Sequence, residues 1–249
     1  MGVFLLSQPE GDCGLNTLAA CSPQDLSVRH SVTPSDSQDA LETADVEVFQ
    51  GLDVAAVSNP CFTAVEEGGD ADCLVQNKVY EELCGVLDVH YPQYSDRHRI
   101  PYMCALISEM LRLRPVAPLA VPHRAIRNSS PLFSIAGHFI PKNTIIIPNL
   151  YGAHHDLEVW DDPYSFKPER FLEGGGGSLR ALIPFGGGAR LCLGEAVANM
   201  EMFLFTAYLL RDFQFLPASK EEPLPDLRGV ASVVLKVKPH TVIAHPREQ

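Results

Sequence analysis

The most specific pattern in the chain is Phe185-Gly186-Gly187-Gly188-Ala189-Arg190-Leu191-Cys192-Leu193-Gly194. It is a glycine-rich loop that places one cysteine at the start of a segment with helical apolar periodicity. Free backbone N–H groups and the positive end of a helix dipole favour a thiolate there, and Arg190 adds a positive charge. Glycines allow close approach of the backbone to a flat ligand. A phosphate-binding loop is excluded because no Gly-Lys-Ser or Gly-Lys-Thr follows.

The chain contains seven cysteines, and no two of them have CxxC spacing. Their odd number and irregular positions argue against a disulfide framework, a zinc knuckle and a covalent c-type haem attachment. A single cysteine is most often a small buried apolar residue, so the interest of Cys192 depends on the residues around it.

Two further patterns lie upstream of this loop. Glu109 and Arg112 stand one helical turn apart, a spacing that by itself indicates a surface ion pair of little energetic value. Residues 163–171 read Pro-Tyr-Ser-Phe-Lys-Pro-Glu-Arg-Phe, within a Pro- and Gly-rich stretch, 158–191, that looks irregular. Irregular stretches of this length are often functional in compact domains.

These patterns together resemble the cytochrome P-450 family. Phe-x-x-Gly-x-Arg-x-Cys-x-Gly is its haem-binding loop, and Glu-x-x-Arg and Pro-x-x-Phe-x-Pro-x-Arg-Phe precede it in the family's order. Within the family the chain is most similar to the steroid 21-hydroxylases, for example over residues 111–118, 146–154 and 233–239. The steroid 17α-hydroxylases share much of this sequence. The resemblance covers residues 76–249 and none of 1–75.

The resemblance implies a mixed fold, mainly α with small β-sheets, corresponding to the C-terminal half of a cytochrome P-450 domain over residues 76–249. Apolar periodicity indicates where its elements lie. Helices are predicted from residue 74 to before Tyr91 and over 103–113, 149–157 and 193–208, and strands over 119–121, 133–140, 144–147, 213–215, 230–237 and 241–244.

Residues 1–75 differ from the rest in charge. They contain 13 acidic residues and one basic residue, Arg29, whereas residues 76–249 contain 18 of each. Such an acidic segment without apolar periodicity is predicted to be a largely disordered leader. The net charge of −12 argues against nucleic acid as a partner. No apolar run reaches the roughly 18 residues of a membrane span, so the chain is predicted to carry no anchor.

The resemblance implies a haem b cofactor with the sulfur of Cys192 as axial ligand of the iron. A thiolate donates electron density to the iron and thereby favours O–O cleavage. The cofactor-binding residues that it assigns are Cys192, Arg190, His123, Phe185, Gly188 and Gly194. Arg190 and His123 are implied to hydrogen-bond the haem propionates. The alternative for His123 is a solvent-facing residue of a turn.

Glu109, Arg112 and Arg170 are implied to form a buried network that holds the 158–191 segment against the haem side. Their implied role is structural rather than catalytic. His154 and His155 are adjacent, and neighbouring residues of a helix do not share a face. We therefore expect ordinary polar contacts from them and no metal site.

Residues 115–121 are implied to run along the edge of the haem. This makes Ala117, Leu119 and Val121 candidates for contact with substrate. Their apolar side chains suit a steroid, and they suit packing into a protein core equally well.

The activity that the resemblance implies is a haem-thiolate monooxygenase reaction. Its substrate would be progesterone or 17-hydroxyprogesterone, hydroxylated at C21 in corticosteroid synthesis, and 17α-hydroxylation is the alternative within the family. Electrons would come from NADPH through NADPH–cytochrome P-450 reductase. The family resides at the endoplasmic reticulum membrane, whereas a chain without an anchor is expected in the cytosol.

The distal helix of the family, with its acid–Thr pair, has no counterpart in the sequence. Glu42-Thr43 is the one acid–Thr pair, and it is rejected because it lies in a polar acidic stretch without the preceding glycines. No catalytic residue is assigned. A second interpretation follows: a truncated, inactive chain that at most binds haem or a protein partner.

Overall fold

The computed structural model describes residues 3–6, 74–87, 90–129, 135–172, 180–217, 234–236 and 241–247. The α-helices are α1 (Leu74–Leu87), α2 (Pro101–Leu113), α3 (Leu150–His154) and α4 (Glu195–Asp212). The strands are β1 (Val3–Leu6), β2 (His123–Arg124), β3 (Ile145–Pro148), β4 (Phe213–Pro217) and β5 (Val242–Pro246). Short 3₁₀ helices span Tyr94–Arg99, Pro168–Phe171 and Gly188–Arg190. The prediction of a mainly α fold with small sheets is confirmed.

Helices α1, α2 and α4 pack around one apolar core. In α1 the apolar residues recur every four positions, so that Val79, Leu83 and Leu87 lie on one buried face. They share this core with Ile100, Met103, Leu106, Leu113, Phe203, Ala207, Leu210, Phe215 and Val242. Each large side chain that is fully buried contributes about 1.5–3 kcal/mol to folding. The core therefore fixes α2, which carries Glu109 and Arg112, against its neighbours.

A carboxylate of α1 caps the first turn of α2. Pro101 occupies the first helical position, where its missing N–H costs nothing. The two oxygens of Glu82 accept hydrogen bonds from the backbone N–H groups of Tyr102 at 2.8 Å and Met103 at 3.0 Å. A negative charge at this end of a helix also interacts favourably with the helix dipole. Glu82 thus joins α1 to α2 by a polar contact at the edge of the core.

The described residues form two antiparallel sheets. In the first, β3 lies between β1 and β2, with Val3 opposite Pro148 and His123 opposite Ile146. In the second, β4 pairs with β5. The side chain of Gln76 donates to the carbonyl of Phe215 at 3.0 Å and accepts from its N–H at 2.9 Å. This buried pair of hydrogen bonds ties β4 to α1.

Some predicted strands are shorter in the structure. Over 119–121 the pairing is a single bridge between Leu119 and Asn149. Within 133–140 the described residues form a bridge between Ile135 and His138, because Ala136 and Gly137 both have positive φ and turn the chain sharply.

The sequence did not predict β1, whose four residues lie in the leader. The predicted disorder of residues 1–2 and 7–73 falls outside the described part of the chain. So do residues 230–233 and 237 of the predicted strand 230–237. Helix α4 extends to Asp212, beyond the predicted end at 208.

Candidate functional site

Glu109 and Arg112 form a bidentate ion pair with no solvent exposure of either side chain. Arg112 Nε donates to Glu109 Oε2 at 2.7 Å, and Arg112 Nη2 donates to Glu109 Oε1 at 2.8 Å. The i,i+3 spacing on α2 brings the two groups to one face. Full burial makes this pair very different from a surface ion pair, since each charge depends on the other.

The remaining N–H groups of Arg112 donate to backbone carbonyls within residues 154–165. Its Nη1 donates to the carbonyls of His154 at 2.9 Å and Pro163 at 2.7 Å, and its Nη2 donates to that of Ser165 at 3.2 Å. The guanidinium also lies 5.2 Å from the ring centre of Trp160. One arginine therefore anchors the end of α3 and the start of the irregular segment.

Arg170, from within the same irregular segment, completes this ion network. Its Nε lies 3.2 Å from the Glu109 carboxylate, and its Nη1 donates to the carbonyl of Asp161 at 2.8 Å. The backbone N–H of Lys167 donates to the same carboxylate at 2.8 Å. Glu109 thus gathers two arginines and one backbone amide, and it folds residues 161–170 onto α2.

The cysteine loop, residues 185–192, has few side-chain contacts. Gly186 and Gly188 have φ of 78° and 66°, a conformation that favours glycine. The N–H of Cys192 donates to the carbonyl of Phe185 at 3.0 Å, which closes the loop on itself. The side chain of Cys192 is exposed and stands two residues before Gly194, the N-cap of α4.

The loop fits a haem by its donor chemistry. It offers one exposed sulfur, and Leu191 and Leu193 on either side of it are exposed apolar residues. In the described part of the chain no group of three or more His, Cys, Asp or Glu side chains could hold a metal ion. A single thiolate suits a metal that brings its other in-plane ligands with it, as haem iron does.

The predicted propionate partners lie on two different elements. His123 is half-buried on β2, and Arg190 is exposed at the end of a 3₁₀ turn. Among the described residues, neither side chain has a hydrogen bond to the Cys192 side chain.

The predicted substrate segment is held by its backbone. The N–H of Ala120 donates to the carbonyl of Pro148 at 3.0 Å, and the carbonyl of Pro118 accepts from the N–H of Tyr151 at 2.9 Å. Ala117 is half-buried, whereas Leu119 and Val121 are exposed. The backbone is therefore fixed while apolar side chains remain open to a ligand.

Sequence reasoning missed the role of His154. The sequence predicts ordinary polar contacts for both histidines. His155 makes such a contact, because its Nδ1 lies 2.9 Å from the carbonyl oxygen of Tyr151. His154 is instead fully buried, and its Nε2 accepts a hydrogen bond from the N–H of Ile183 at 2.9 Å. Burial, with His155 and Arg112 nearby, lowers the pKa of His154 to about 4. No local pattern signals a partner 29 residues away.

Comparison with known proteins agrees with this geometry. A family model described as Cytochrome P450 matches residues 74–244. The chain is 45% identical over 179 residues to a steroid 17-alpha-hydroxylase/17,20 lyase of Rana dybowskii and 47% identical over 180 residues to a steroid 21-hydroxylase of Homo sapiens. Each alignment covers 70% of this chain and 34% of the relative.

Solved structures that are similar to this chain are also cytochrome P450 proteins. A zebrafish cytochrome P450 with abiraterone has a TM-score of 0.63 and 38% identity, covering 70% of this chain and 40% of that chain. A second zebrafish cytochrome P450 structure, with progesterone, has a TM-score of 0.62 and 39% identity, covering 69% of this chain and 39% of that chain. The chain belongs to the cytochrome P450 family, and it spans about a third of the length of the curated relatives it matches.

None of the helices in the described ranges combines the length and the apolar character that crossing a bilayer requires.

Proposed function

We propose that this chain binds haem b through Cys192 and belongs to a steroid-hydroxylating monooxygenase. The observation that carries the proposal is the cysteine loop: an exposed thiol beside the first turn of an 18-residue helix, on a backbone closed by the hydrogen bond from Cys192 N–H to Phe185. Bound haem would supply activation of molecular oxygen with electrons from a reductase. The chain's residues hold and orient that group.

Each residue of the site has a distinct proposed role. Cys192 would hold the haem iron through its sulfur as a thiolate, whose negative charge the positive end of the α4 dipole stabilises. Arg190 and His123 donate to the propionates, because both are cationic or polar groups open to an anion. Gly188 allows the left-handed turn that presents the sulfur. Gly194 lies beside the sulfur, where a Cβ would make an ordinary van der Waals contact with it at 3.8 Å.

The proposed substrate is a steroid, because the fixed segment 116–121 presents Leu119 and Val121 as exposed apolar side chains. A rigid apolar ligand is bound by burial against such side chains, with few polar contacts to orient it. We propose C21 of progesterone or 17-hydroxyprogesterone as the site of hydroxylation. Hydroxylation at C17 is the competing outcome, since relatives with either name have nearly equal identity to this chain.

The proposed electron donor is NADPH, acting through NADPH–cytochrome P-450 reductase. An exposed cation next to the thiolate, Arg190, suits an acidic docking partner. This partner follows from the monooxygenase proposal, because activation of oxygen requires two electrons from outside the chain.

A second candidate function is haem or protein binding without turnover. The observation in its favour is the apolar surface around the loop, where Leu193 is fully exposed and Val197 and Met200 of α4 are also exposed. Exposed apolar side chains grouped in this way mark a surface that a ligand or a partner covers.

The first experiment tests the haem proposal. The haem-reconstituted chain is reduced under carbon monoxide, and its difference spectrum is compared with those of Cys192→Ser and Cys84→Ser. Cys84 is an exposed cysteine on α1 and serves as the matched control. A red-shifted Soret band that is lost only in Cys192→Ser supports thiolate ligation. No band in the unmodified chain contradicts it.

Turnover is then tested with progesterone, the reductase and NADPH. A product hydroxylated at C21 supports the proposed reaction, and a product hydroxylated at C17 assigns the alternative. A thiolate band without any product favours the binding function.

A further inference from the structure

His154 is the point at which the ion network meets the cysteine loop. It is the last residue of α3, and no part of its side chain is exposed to solvent. Its own carbonyl accepts a hydrogen bond from Arg112 Nη1 at 2.9 Å, while its ring Nε2 accepts one from the N–H of Ile183 at 2.9 Å. One residue thus touches both regions, through its backbone on one side and its ring on the other.

The hydrogen bond from Ile183 fixes the chemical state of the ring. A backbone N–H can only donate, so Nε2 must be the unprotonated nitrogen, and the neutral ring carries its proton on Nδ1. Nδ1 has no hydrogen-bond partner among the described residues. Among the described residues, the ring is therefore hydrogen-bonded through Nε2 alone, on the side of Ile183.

From Ile183 the contact continues to the cysteine along the backbone. The carbonyl of Ile183 accepts from the N–H of Gly186 at 3.0 Å, and the carbonyl of Phe185 accepts from the N–H of Cys192 at 3.0 Å. Gly186 adopts positive φ between these two bonds. These two hydrogen bonds join the backbone of Ile183 to that of Cys192 by successive turns.

Within the described residues, His154 provides the one side-chain hydrogen bond to the backbone of 180–192. The turns of this segment are otherwise closed by its own backbone groups. Such a loop keeps its internal shape but needs an external contact to fix its position relative to the rest of the domain.

We propose that His154 is a positioning residue for the haem ligand: its neutral ring nitrogen Nε2 locks the Cys192 loop onto the Glu109–Arg112 pair. The thiol is thereby held at one place before the cofactor binds. Residues that bind a metal are generally oriented by hydrogen bonds from neighbours that do not touch the metal themselves. The proposal rests on the proposed haem function for its purpose, but its geometry can be tested without any cofactor.

The test compares three variants of the full, cofactor-free chain by native-state amide hydrogen exchange. His154→Phe keeps the ring volume and removes the acceptor, His154→Gln restores an acceptor oxygen, and His155→Phe alters the neighbouring buried ring. We expect the amides of 183–192 to exchange about tenfold faster in His154→Phe, with α2 unchanged. His154→Gln should recover most of the protection, and His155→Phe should leave the loop unaffected.

Two results would overturn the proposal. Equal acceleration in α2 and in the loop would show that His154 only contributes to overall stability. Unchanged exchange of 183–192 would show that the ring does not hold the loop.

A measurement on the unmodified chain covers the case in which His154→Phe does not fold. The ¹⁵N chemical shifts of the His154 ring should identify Nδ1 as protonated and Nε2 as an acceptor. A ring protonated on Nε2 would refute the link.

The cofactor readout separates this proposal from the proposed function. After haem reconstitution, His154→Phe should lower the fraction of haem in the thiolate-ligated form relative to the unmodified chain and His155→Phe. If even the unmodified chain shows no thiolate band, the haem proposal fails while the exchange result on His154 stands.

Discussion

The ion network and the cysteine loop lie on either side of His154, and they differ in how their polar groups are satisfied. In the network, the side chains of Glu109 and Arg112 are fully buried and Arg170 is 11% exposed, and each is paired within the chain. In the loop, Cys192 and Arg190 are exposed. The polar groups of the network are therefore satisfied by folding alone, whereas the loop side chains are open to solvent, and in the proposed function a ligand covers them.

This contrast predicts that the largest loss of stability follows from removing one member of the buried Glu109–Arg112 pair. Arg112→Leu should lower the free energy of unfolding by about 3–5 kcal/mol, because it leaves the Glu109 carboxylate buried without its main partner. Chemical denaturation measures the change. Lys78→Ala, which removes an exposed ion pair with Glu169, should cost no more than about 1 kcal/mol.

The double variant Glu109→Leu with Arg112→Leu sharpens this prediction. Replacing both charges removes the unpaired one, so the double variant should be more stable than Arg112→Leu alone. A double variant that loses the sum of the two single losses would contradict the buried-pair explanation.

The second prediction concerns pH and the residue between the two regions. Burial lowers the pKa of His154 from 6.5 to about 4. Between these values the unfolded chain takes up a proton that the folded chain does not. Stability should therefore fall as the pH drops from 6.5 towards 4, by up to about 3 kcal/mol for this group.

Denaturation curves at several pH values in this window measure that loss. The dependence should be weaker in His154→Gln, which cannot take up the proton. Parallel curves for the two proteins would show that His154 does not titrate in this way.

A smaller loss of stability is expected for Arg170, the partly exposed member of the ion network. Arg170→Ala should cost about 1–3 kcal/mol, since it removes the Nε contact to Glu109 and the bonds to the carbonyls of Asp161 and Ser165. Thermal unfolding measures the change. Arg170→Lys keeps the charge but not the forked geometry, and should recover only part of the loss.

The smallest change in the free energy of unfolding is expected at Leu193, next to the cysteine loop. Leu193→Ser should change the stability of the cofactor-free chain by less than about 0.5 kcal/mol, because this side chain is fully exposed. The same variant should weaken haem retention, measured by transfer of haem to an excess acceptor protein. A large loss of stability without cofactor would mean that the loop, like the network, is completed by the chain itself.

The sequence predicted well whatever depends on local spacing. Apolar periodicity located α1 and α2. The spacing of Glu109 and Arg112 by itself indicated only a surface ion pair, and the buried network was expected from the resemblance to the family. The sequence could not predict contacts between distant stretches, such as Glu82 capping α2 or His154 accepting from Ile183. Those contacts depend on which backbone N–H groups tertiary packing brings close to each side chain. A short sequence pattern does not contain that information.

Helix α4 shows a second limit of periodicity. In the predicted helix 193–208, Val197, Met200, Phe203 and Ala207 recur at the spacing of one helical face. The structure buries Phe203 and Ala207 but leaves Val197 and Met200 exposed. Periodicity shows which side chains can be buried together, and it does not show what is present to cover them.

The chain has one tryptophan, and Trp160 stands at the ion network. It is buried, its indole N–H donates to the carbonyl of Ala153 at 2.9 Å, and its ring lies beside the Arg112 guanidinium. Its fluorescence consequently originates at one place in the molecule. A stopped-flow emission trace of the unmodified chain would time the assembly of this charged cluster without any added label, and far-ultraviolet circular dichroism would time helix formation alongside it.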